Sequence, residues 1–483
     1  MLKFLKRETN YKSTENGGVT HKTSDSKVLD YFAQGSSLRN RDIVSVIKLV
    51  EDSFNEDPLL TLKVLFNSRD VRGGQGERET FRKIINHLAK TKTEVMAKNI
   101  HLIPEFGRWD DVLSLYNTPL EESAISLIKQ QLLKDINSEY PSQCAKWLPS
   151  ENATSKTTRQ LANKTMEGLG YKPRTYRKTL SKLRKKIDLV ETKLCERRYS
   201  DIEYGKIPSQ AALKYREAFQ RNDSDRYRQF ISDVTEGKLT MNVGTLNPHE
   251  IVRKAMYHDG LKGVERDSLN AMWDSLPDYL EGKSSNTLPV IDVSGSMVGI
   301  PMQMAISLGL YMSERLEGTY KNHFITFESN PSLLEVEGKD FVERVNNILN
   351  APWGGSTNIK ATFDLILETA IKHKLPQSEL PERIVIISDM EFDRIESTGF
   401  RKEKLSNMEI IKSEFESAGY TMPRLVFWNV DSRDNNIAMT NEDNVQLVSG
   451  PSPKLFVQIL KDLSAYELML EILNNPRYDS IRI

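Results

Sequence analysis

Cysteine is scarce in this chain, which has only Cys144 and Cys195 among its 483 residues. A secreted protein of this length would normally contain more, so the sequence predicts a reducing compartment. We expect the cytoplasm, or the host cytoplasm if the protein is viral. Two distant cysteines and seven histidines also do not form the ligand clusters that zinc requires.

Long apolar runs and an excess of charge are missing as well. The first residues, MLKFLKRETNYKS, contain no apolar stretch of signal-peptide length, and no run approaches the roughly 18 apolar residues of a transmembrane helix. We therefore expect no membrane partner. Lys plus Arg and Asp plus Glu number 67 each, so only local clusters of charge could attract a polyanion. The length and the composition indicate a soluble protein of two or three domains.

The first part of the chain has a helical pattern. Between about residues 28 and 285, apolar residues recur at intervals of three and four, which predicts helices joined by short polar turns. The clearest examples are VLDYFAQ, IVSVIKLVEDSF, PLLTLKVLFNSR, ERETFRKIINHLAK, WDDVLSLY and ESAISLIKQQLLKDI. This pattern favours a HEAT-like α-solenoid, and a plain helical bundle is the alternative. Whether the array closes into a ring stays open.

From residue 286 the pattern alternates between strands and helices. LPVIDV, NHFITF, RIVIISD, RLVFWNV and NVQLVSG read as strands, several of them apolar throughout, with helical segments between them. Continuous apolar strands separated by helices predict a doubly wound, mostly parallel α/β sheet of the Rossmann-like class. Ligands of such sheets bind at the carboxyl ends of the strands.

Three predicted strand-end loops carry oxygen ligands. The first, TLPVIDVSGSM, supplies Asp292, Ser294 and Ser296; the second, WGGSTNIKA, supplies Thr357; the third, RIVIISDMEFD, supplies Asp389. Carboxylate and hydroxyl oxygens suit Mg²⁺, or Mn²⁺ or Ca²⁺. The Asp-x-Ser-x-Ser triplet alone is weak support, because such residues often cap a helix. The three loops together predict a metal site.

The second loop also contains Gly354 and Gly355, which permit a tight backbone before the helix. After the third loop come Glu391 and Asp393, which we expect to be solvated, with a charge near the metal as the alternative. A catalytic function is not expected. No histidine lies on the three loops, and neither a G-x-S-x-G elbow nor a G-x-x-x-x-G-K-[ST] loop occurs. A metal-dependent hydrolase is a less favoured alternative.

Two stretches of the helical part are rich in basic residues. In RDVRGGQGERETFRK, Arg69, Arg72 and Arg78 surround a glycine turn that could cradle a phosphate. The alternative is a helix-to-helix turn in which Asp70, Glu77 and Glu79 pair with the arginines. The second stretch, residues 156–198, combines a basic cluster with Tyr171 and Tyr176, which is typical of nucleic-acid binding; a solvated helix face is the alternative. The cluster comprises Lys172, Arg174, Arg177, Lys178, Lys182, Arg184, Lys185 and Lys186.

The order of the three metal-site loops resembles the metal-ion-dependent adhesion site of the von Willebrand factor A domain. The resemblance implies that Ser294, Ser296 and Thr357 touch the metal directly, while Asp292 and Asp389 act mostly through water. It also implies one open coordination position for an acidic residue of a protein partner. Met390 stands where glycine is common in that family.

A second resemblance covers nearly the whole chain. STENGGVTHKTSDSKVLDYF, RDVRGGQGER, IPEFGRWDDVL, AKWLPSEN, YRKTLSKLRKKIDLVE and IPSQAALKYREAF look like segments of an uncharacterised family of plants, giant viruses and phages. The arrangement is also similar to Ro proteins, in which a TROVE module, a ring of helical repeats, precedes the same kind of metal-site domain. Ro proteins bind structured RNAs on the outer basic face of the ring and single-stranded ends in its central hole.

These resemblances lead to one expected architecture and two expected functions. The domains would be a helical TROVE-like module over 1–285, a von Willebrand A-like domain over 286–460 and a C-terminal extension over 461–483. We expect a Ro-like RNA-binding protein whose metal site binds a partner. The alternative is a viral or phage protein-interaction or assembly module that uses the metal site without RNA.

Overall fold

The structure is a computed structural model, and it describes residues 9–256, 260–280, 282–327, 329–351, 357–394, 406–440 and 444–483. A short antiparallel hairpin, β1 (Tyr11–Ser13) and β2 (Val19–His21), comes first. A long helical region follows. Its helices are α1 (Lys27–Phe32), α2 (Ile43–Glu56), α3 (Pro58–Arg69), α4 (Glu79–Thr91), α5 (Thr93–Asn99), α6 (Ile103–Phe106), α7 (Glu121–Asn137), α8 (Cys144–Trp147), α9 (Lys156–Leu169), α10 (Pro173–Lys186), α11 (Val190–Cys195), α12 (Ser209–Asn222), α13 (Ser224–Thr235), α14 (Pro248–Met256) and α15 (Val264–Asp274).

Polar caps set several of these helix boundaries. Asp57 ends α2 and begins α3, where its side chain accepts a hydrogen bond from the backbone N–H of Leu60 (2.8 Å) and Pro58 occupies the first turn. Within the basic stretch 156–198, α9 ends at Gly170, whose φ of 69° is left-handed and favours glycine. The predicted helices are therefore confirmed, except that residues 109–115 form a 3₁₀ helix instead of an α-helix.

The second half of the chain forms the predicted α/β sheet. Its strands are β3 (Thr287–Ile291), β4 (His323–Thr326), β5 (Leu333–Glu335), β6 (Arg383–Ser388), β7 (Arg424–Asn429) and β8 (Val445–Ser449). Its helices are α16 (Ile300–Arg315), α17 (Phe341–Leu349), α18 (Ile359–His373), α19 (Asn407–Ser417), α20 (Phe456–Ile459) and α21 (Ala465–Leu473). Every residue of β3, β6 and β8 is buried, as continuous apolar strands require.

The strand order is β5-β4-β3-β6-β7-β8, and all neighbours are parallel except the edge strand β5. Val290 of β3 is in register with Ile325 of β4 on one side and with Ile386 of β6 on the other. The chain winds one way from β3 to β4 and the other way from β6 onward. The switch point of the sheet therefore lies between β3 and β6, where such sheets bind their ligands.

Both ends of the helical region pack on the α/β part. Helix α1 lies against β8 and α21, while α14 packs on α16 and α17. Between the two halves lies a cavity of about 1750 Å³. Residues of the helical region line most of it, and Ile300, Gln303 and residues 451–454 line it from the α/β part. The glycine turn after α3 comes close to the segment before α14, since a Cβ on Gly76 would lie 3.9 Å from Asn247 Nδ2, and residues of the α/β part line the same cavity. None of the described helices combines the length and the apolar character needed to cross a bilayer.

The terminal segments differ from their expected places. The β1–β2 hairpin precedes the predicted helical pattern but falls in the range 1–285 assigned to the helical module, and it lies on the α/β part, where His21 and Ile437 exchange backbone hydrogen bonds of 3.0 and 3.1 Å. The segment after residue 461 packs on the helical region. There Tyr478 Oη accepts a hydrogen bond from Asn67 (2.9 Å), and Arg477 pairs with Asp70. Both termini therefore join the two halves.

Candidate functional site

Asp292 stands directly after β3 at the switch point. The residue is fully buried, and its carboxylate accepts hydrogen bonds from Ser388 Oγ (2.6 Å) and from the backbone N–H of Ser294 (2.9 Å). Burial, together with the nearby carboxylate of Asp389, raises the pKa of Asp292 to about 6. The neighbouring carboxylates of Asp292 and Asp389, both buried at this edge of the sheet, favour the approach of a cation.

The two serines of the first loop lie side by side. Ser294 Oγ and Ser296 Oγ are 3.1 Å apart, on a 3₁₀ turn over Gly295–Met297 that leads toward α16. Neighbouring ligands of an octahedral Mg²⁺ at 2.0–2.1 Å from the ion are separated by about 2.9 Å. The spacing of the hydroxyls therefore fits two adjacent positions around one small cation.

Thr357 precedes α18 and is held by the loop that follows β6. Its Oγ1 lies 2.8 Å from Asp393 Oδ1 and 2.9 Å from the carbonyl oxygen of Glu391, and its backbone N–H donates to Asp393 (2.8 Å). Glu391 is 1% exposed, and burial raises its pKa to about 7. The expectation that Glu391 and Asp393 form a solvated loop was wrong: both belong to the site. Gly354 and Gly355 lie outside the described residues.

Asp389, which follows β6, faces a basic side chain that the sequence analysis did not select. Arg433 Nη2 lies 2.7 Å from Asp389 Oδ2 and 3.4 Å from Glu15 Oε2. Arg433 is located after β7, far along the chain from each predicted loop, so no local spacing indicates it. Met390, between Asp389 and Glu391 in the chain, has a φ of 67°, the left-handed conformation that glycine adopts most readily.

The donor chemistry of this edge fits a hard divalent cation. Within the described part of the chain, no three or more His, Cys, Asp or Glu side chains are grouped to hold a metal ion. A cation here must therefore rely on the hydroxyls of Ser294, Ser296 and Thr357 together with the two carboxylates, which is the oxygen-rich set that Mg²⁺ accepts while keeping several waters. Asn16, between β1 and β2, also reaches this edge, since its Nδ2 lies 3.0 Å from Thr357 Oγ1.

The basic cluster divides into free and occupied side chains. Tyr176, Leu180 and Leu183 form the buried face of α10. On the opposite face, side chains at intervals of four, four and three residues are exposed and have no hydrogen bond or ion pair with any residue that the structure describes. We call these four residues the α10 stripe: Arg174, Lys178, Lys182 and Lys185. Lys172, just before the helix, is also exposed.

Other predicted RNA contacts serve the fold. Arg184 donates to the carbonyls of Ala145 (2.8 Å) and Leu148 (2.9 Å), and Lys186 donates to the carbonyls that end α7. Arg177 remains on the surface but pairs with Glu151. Tyr176, one of the two tyrosines of the predicted nucleic-acid-binding stretch, is 1% exposed and donates to the carbonyl of Pro149, so it cannot stack on a base.

The glycine turn after α3 joins two helices. Of its three predicted RNA contacts, only Arg72 and Arg78 are at the surface. Arg69 is 2% exposed and pairs with the buried Asp111 at 2.7 Å, so it cannot reach an RNA, and its prediction as a contact is corrected. Arg72 and Arg78 are exposed and line the cavity. Packing requires glycine at position 74, because a Cβ there would lie 1.9 Å from the carbonyl oxygen of Asn67.

The acidic residues of this turn pair with distant segments, not with its arginines as the alternative supposed. Asp70 binds Arg477 and Glu77 binds Arg39. Among the residues that the structure describes, eleven lysines and arginines line the cavity, against five glutamates, and two of the eleven, Arg69 and Arg184, are held within the fold. Trp147, with Arg108 over its ring at 3.9 Å, adds an aromatic surface. Such a lining suits a polyanion with unpaired bases.

Tyr140 is a candidate contact that the sequence analysis missed. Its ring is 83% exposed, in the turn between α7 and α8. The backbone N–H of Tyr140 donates to Ser138 Oγ (3.1 Å), and Lys186 Nζ donates to the Ser138 carbonyl (3.1 Å), so the turn that carries Tyr140 contacts the end of α10. A serine-rich turn gives little sign of this position, because only the fold brings it next to the basic helix.

Fold and site together define a class: a helical region enclosed with an α/β sheet that carries an oxygen-rich edge at its switch point. Two family models cover this chain, a domain of unknown function DUF2828 over residues 14–168 and 142–285, and a domain of unknown function DUF7788 over residues 286–473. An uncharacterized protein of Acanthamoeba polyphaga mimivirus is 31% identical over 510 positions, which cover 96% of this chain and 87% of that protein. The chain belongs to the DUF2828 family.

A solved structure gives a weaker likeness. The Ro (RSR) protein of Deinococcus radiodurans aligns with 93% of this chain and 99% of its own, at 12% identity and a TM-score of 0.37. A score of this size does not establish a shared fold.

Proposed function

We propose that this protein binds RNA and has no catalytic role. The observation that carries the proposal is the α10 stripe, in which four basic side chains without partners stand on one helix face in steps of about 5 to 6 Å. Exposed cations that pair with no acid are available to neutralise phosphates. In a chain of zero net charge, this is a local concentration of positive charge.

The cavity provides a second basic surface of a different kind. Its exposed cations, including Arg72, Arg78, Lys214 and Arg253, surround a space of about 1750 Å³ with tryptophan and tyrosine side chains in its wall. None of the four residues of the α10 stripe lines this space, so the stripe is a second set of basic side chains. We propose that the stripe binds the backbone of a structured RNA, while the cavity receives an unpaired strand or end.

The switch-point edge is proposed as a von Willebrand A-type metal site. Asp292, Ser294, Ser296, Thr357 and Asp389 would hold Mg²⁺, or Mn²⁺ or Ca²⁺, and the cation would supply an open position for an acidic side chain of a protein partner. The 3.1 Å spacing of the serine hydroxyls and the buried acidic pair support this proposal.

Filter binding of one structured RNA and one single-stranded RNA across a salt series tests the RNA proposal. We expect sub-micromolar binding at low salt and a steep decrease as the salt concentration rises, because several phosphates release counterions. Weak binding that is indifferent to salt would contradict the proposal. Nucleic acid that copurifies with the protein, seen in its absorbance ratio, can then be sequenced to identify the RNA.

Two other functions make different predictions. A protein-interaction module without RNA would recover the same protein partner, and no RNA, from wild type and from a variant with a reversed α10 stripe. A metal-dependent hydrolase would turn over a phosphoester, and Asp292→Ala would abolish the turnover.

A further inference from the structure

The N-terminal turn lies on the same edge as the candidate metal residues. We call Thr14–Gly18, which joins β1 to β2, the N-terminal turn. Thr14 Oγ1 donates to the carbonyl of Phe392 (2.6 Å), and Gly18 N–H donates to the same carbonyl (3.2 Å). Between these anchors, the backbone N–H of Glu15 donates to Glu391 Oε2 (2.7 Å). The turn is therefore fixed to the loop that follows β6.

Asn16 extends from this turn to a predicted metal ligand. Its Nδ2 donates to the carbonyl oxygen of Glu391 (2.6 Å) and to Thr357 Oγ1 (3.0 Å). A threonine hydroxyl has one hydrogen and two lone pairs. Its hydrogen can be directed at Asp393 or at the Glu391 carbonyl, so the Asn16 amide takes one of the two lone pairs through which Thr357 could bind a cation.

Glu15 and Arg433 complete the contact on the Asp389 side. The Arg433 guanidinium lies 2.7 Å from the buried carboxylate of Asp389 and 3.4 Å from Glu15, so it links the turn to the second acidic ligand. The segment that carries Arg433 also reaches the helical region, since Asp431 accepts from Asn40 (3.0 Å) and Ser432 donates to Gln34 (2.9 Å).

We infer that the N-terminal turn and Arg433 form an internal cover of the switch-point edge, which competes with a divalent cation and with the acidic partner that the cation would engage. This inference rests on the metal site proposed above. Arg433 supplies one positive charge to Asp389, and a divalent cation must displace it. An acidic side chain of a partner must likewise displace Glu15 and Asn16. The edge is thus an interaction surface whose first occupant is a segment of the same chain.

Mn²⁺ titration of the full chain by calorimetry tests the competition. Arg433→Gln should bind Mn²⁺ about tenfold more tightly than wild type, the effect of removing one charge-assisted hydrogen bond from Asp389. Asn16→Ala, a second variant that leaves the buried carboxylates paired, should bind about threefold more tightly. Lys22→Ala, directly after the same hairpin, removes an ammonium that donates only to the Thr9 carbonyl among the described residues, and this matched control should be unchanged.

The outcomes separate this inference from the metal proposal. If wild type binds Mn²⁺ and both variants bind it equally or more weakly, the cover does not compete and only the inference fails. If neither wild type nor any variant binds Mn²⁺, the metal site and the inference are both wrong. Hydrogen exchange gives a second readout: adding Mg²⁺ to wild type should speed exchange at residues 11–21, and slower exchange would overturn the competition.

Discussion

At the residue scale, the sequence predicted the three strand-end loops, but it did not predict the residues from other segments that contact them. Asp292, Ser294 and Ser296 follow an apolar strand within one short segment, so local order identifies them. Arg433 and Asn16 contact the same edge from positions 44 residues after Asp389 and 341 residues before Thr357. Only the folded chain brings them together, since each belongs to a loop with no sign of metal chemistry in its own sequence.

Substitution of a predicted metal ligand should lower the affinity for Mn²⁺, whereas substitution of a residue away from the site should not. Asp292→Ala and Thr357→Ala should each weaken Mn²⁺ binding roughly 10- to 100-fold, because each removes an oxygen at or next to the cation. Thr369→Ala, a threonine of α18 bonded to its own helix, is the control. Calorimetry gives the affinities, and circular dichroism should show that the sheet remains folded. Equal affinity in wild type and variants would refute the site.

The raised pKa of Asp292 predicts a pH dependence. The pKa of Asp292 in the folded protein, about 6, lies above its ordinary value of 3.8, so the folded protein holds this proton more tightly than the unfolded chain does. The contribution of Asp292 to stability is therefore fully present below pH 3.8 and is lost as the pH rises to about 6; the rise corresponds to roughly 3 kcal/mol.

Asp292→Asn imitates the protonated acid at every pH, and urea unfolding in a chelator can compare it with wild type. The variant should gain stability relative to wild type between pH 4 and pH 7, since only wild type loses its bound proton. A difference between the two proteins that stays constant with pH would contradict the shifted pKa.

Arg69 illustrates a basic residue that supports the fold instead of a ligand. Arg69→Ala leaves the buried Asp111 with only Arg82 as its charged partner and should lower the free energy of unfolding by roughly 3–5 kcal/mol. Urea unfolding measures that loss. RNA affinity, measured where the variant is still folded, should stay within about twofold of wild type. A large loss of affinity without a loss of stability would place Arg69 at the RNA after all.

At the scale of elements, apolar periodicity predicted most of the helices and all the strands of the sheet except β5. The three-residue strands β1, β2 and β5 escaped because they are too short for a periodic signal and are fixed by their partners. The basic stretch was located correctly as a charge cluster. Which of its residues are free could not be predicted, because Arg177, Arg184 and Lys186 find acceptors on other elements.

Tyr140 is exposed in the turn whose Ser138 carbonyl accepts from Lys186 at the end of α10, so its ring is a candidate for stacking on an unpaired base of an RNA bound along α10. Tyr140→Ala should weaken binding of a structured RNA with an unpaired loop by about 1–3 kcal/mol, the usual value of one stacked base, while Tyr140→Phe keeps the ring and should bind as wild type does. Fluorescence anisotropy with a labelled oligonucleotide measures both. Equal affinities in all three proteins would exclude stacking at this position.

At the scale of the whole molecule, the two halves are joined at several places. The helical region contacts the α/β part through α1 and α14, and the termini cross over in both directions: the β1–β2 hairpin lies on the sheet, and Tyr478 lies on α3. The sequence predicted a helical module that ends at residue 285, an α/β domain over 286–460 and a C-terminal extension over 461–483, and β3 begins at Thr287. The enclosure of the cavity depends on contacts between distant segments, which no local pattern encodes.

The most direct test of RNA binding compares two double charge reversals. Lys182→Glu with Lys185→Glu changes the α10 stripe, and Lys339→Glu with Lys372→Glu makes the same change of net charge on exposed lysines of the α/β part. Filter binding of a structured RNA should show at least a tenfold loss of affinity and a shallower salt dependence for the stripe variant only. Equal affinity in the stripe variant and wild type, or equal losses in both variants, would contradict RNA binding by α10.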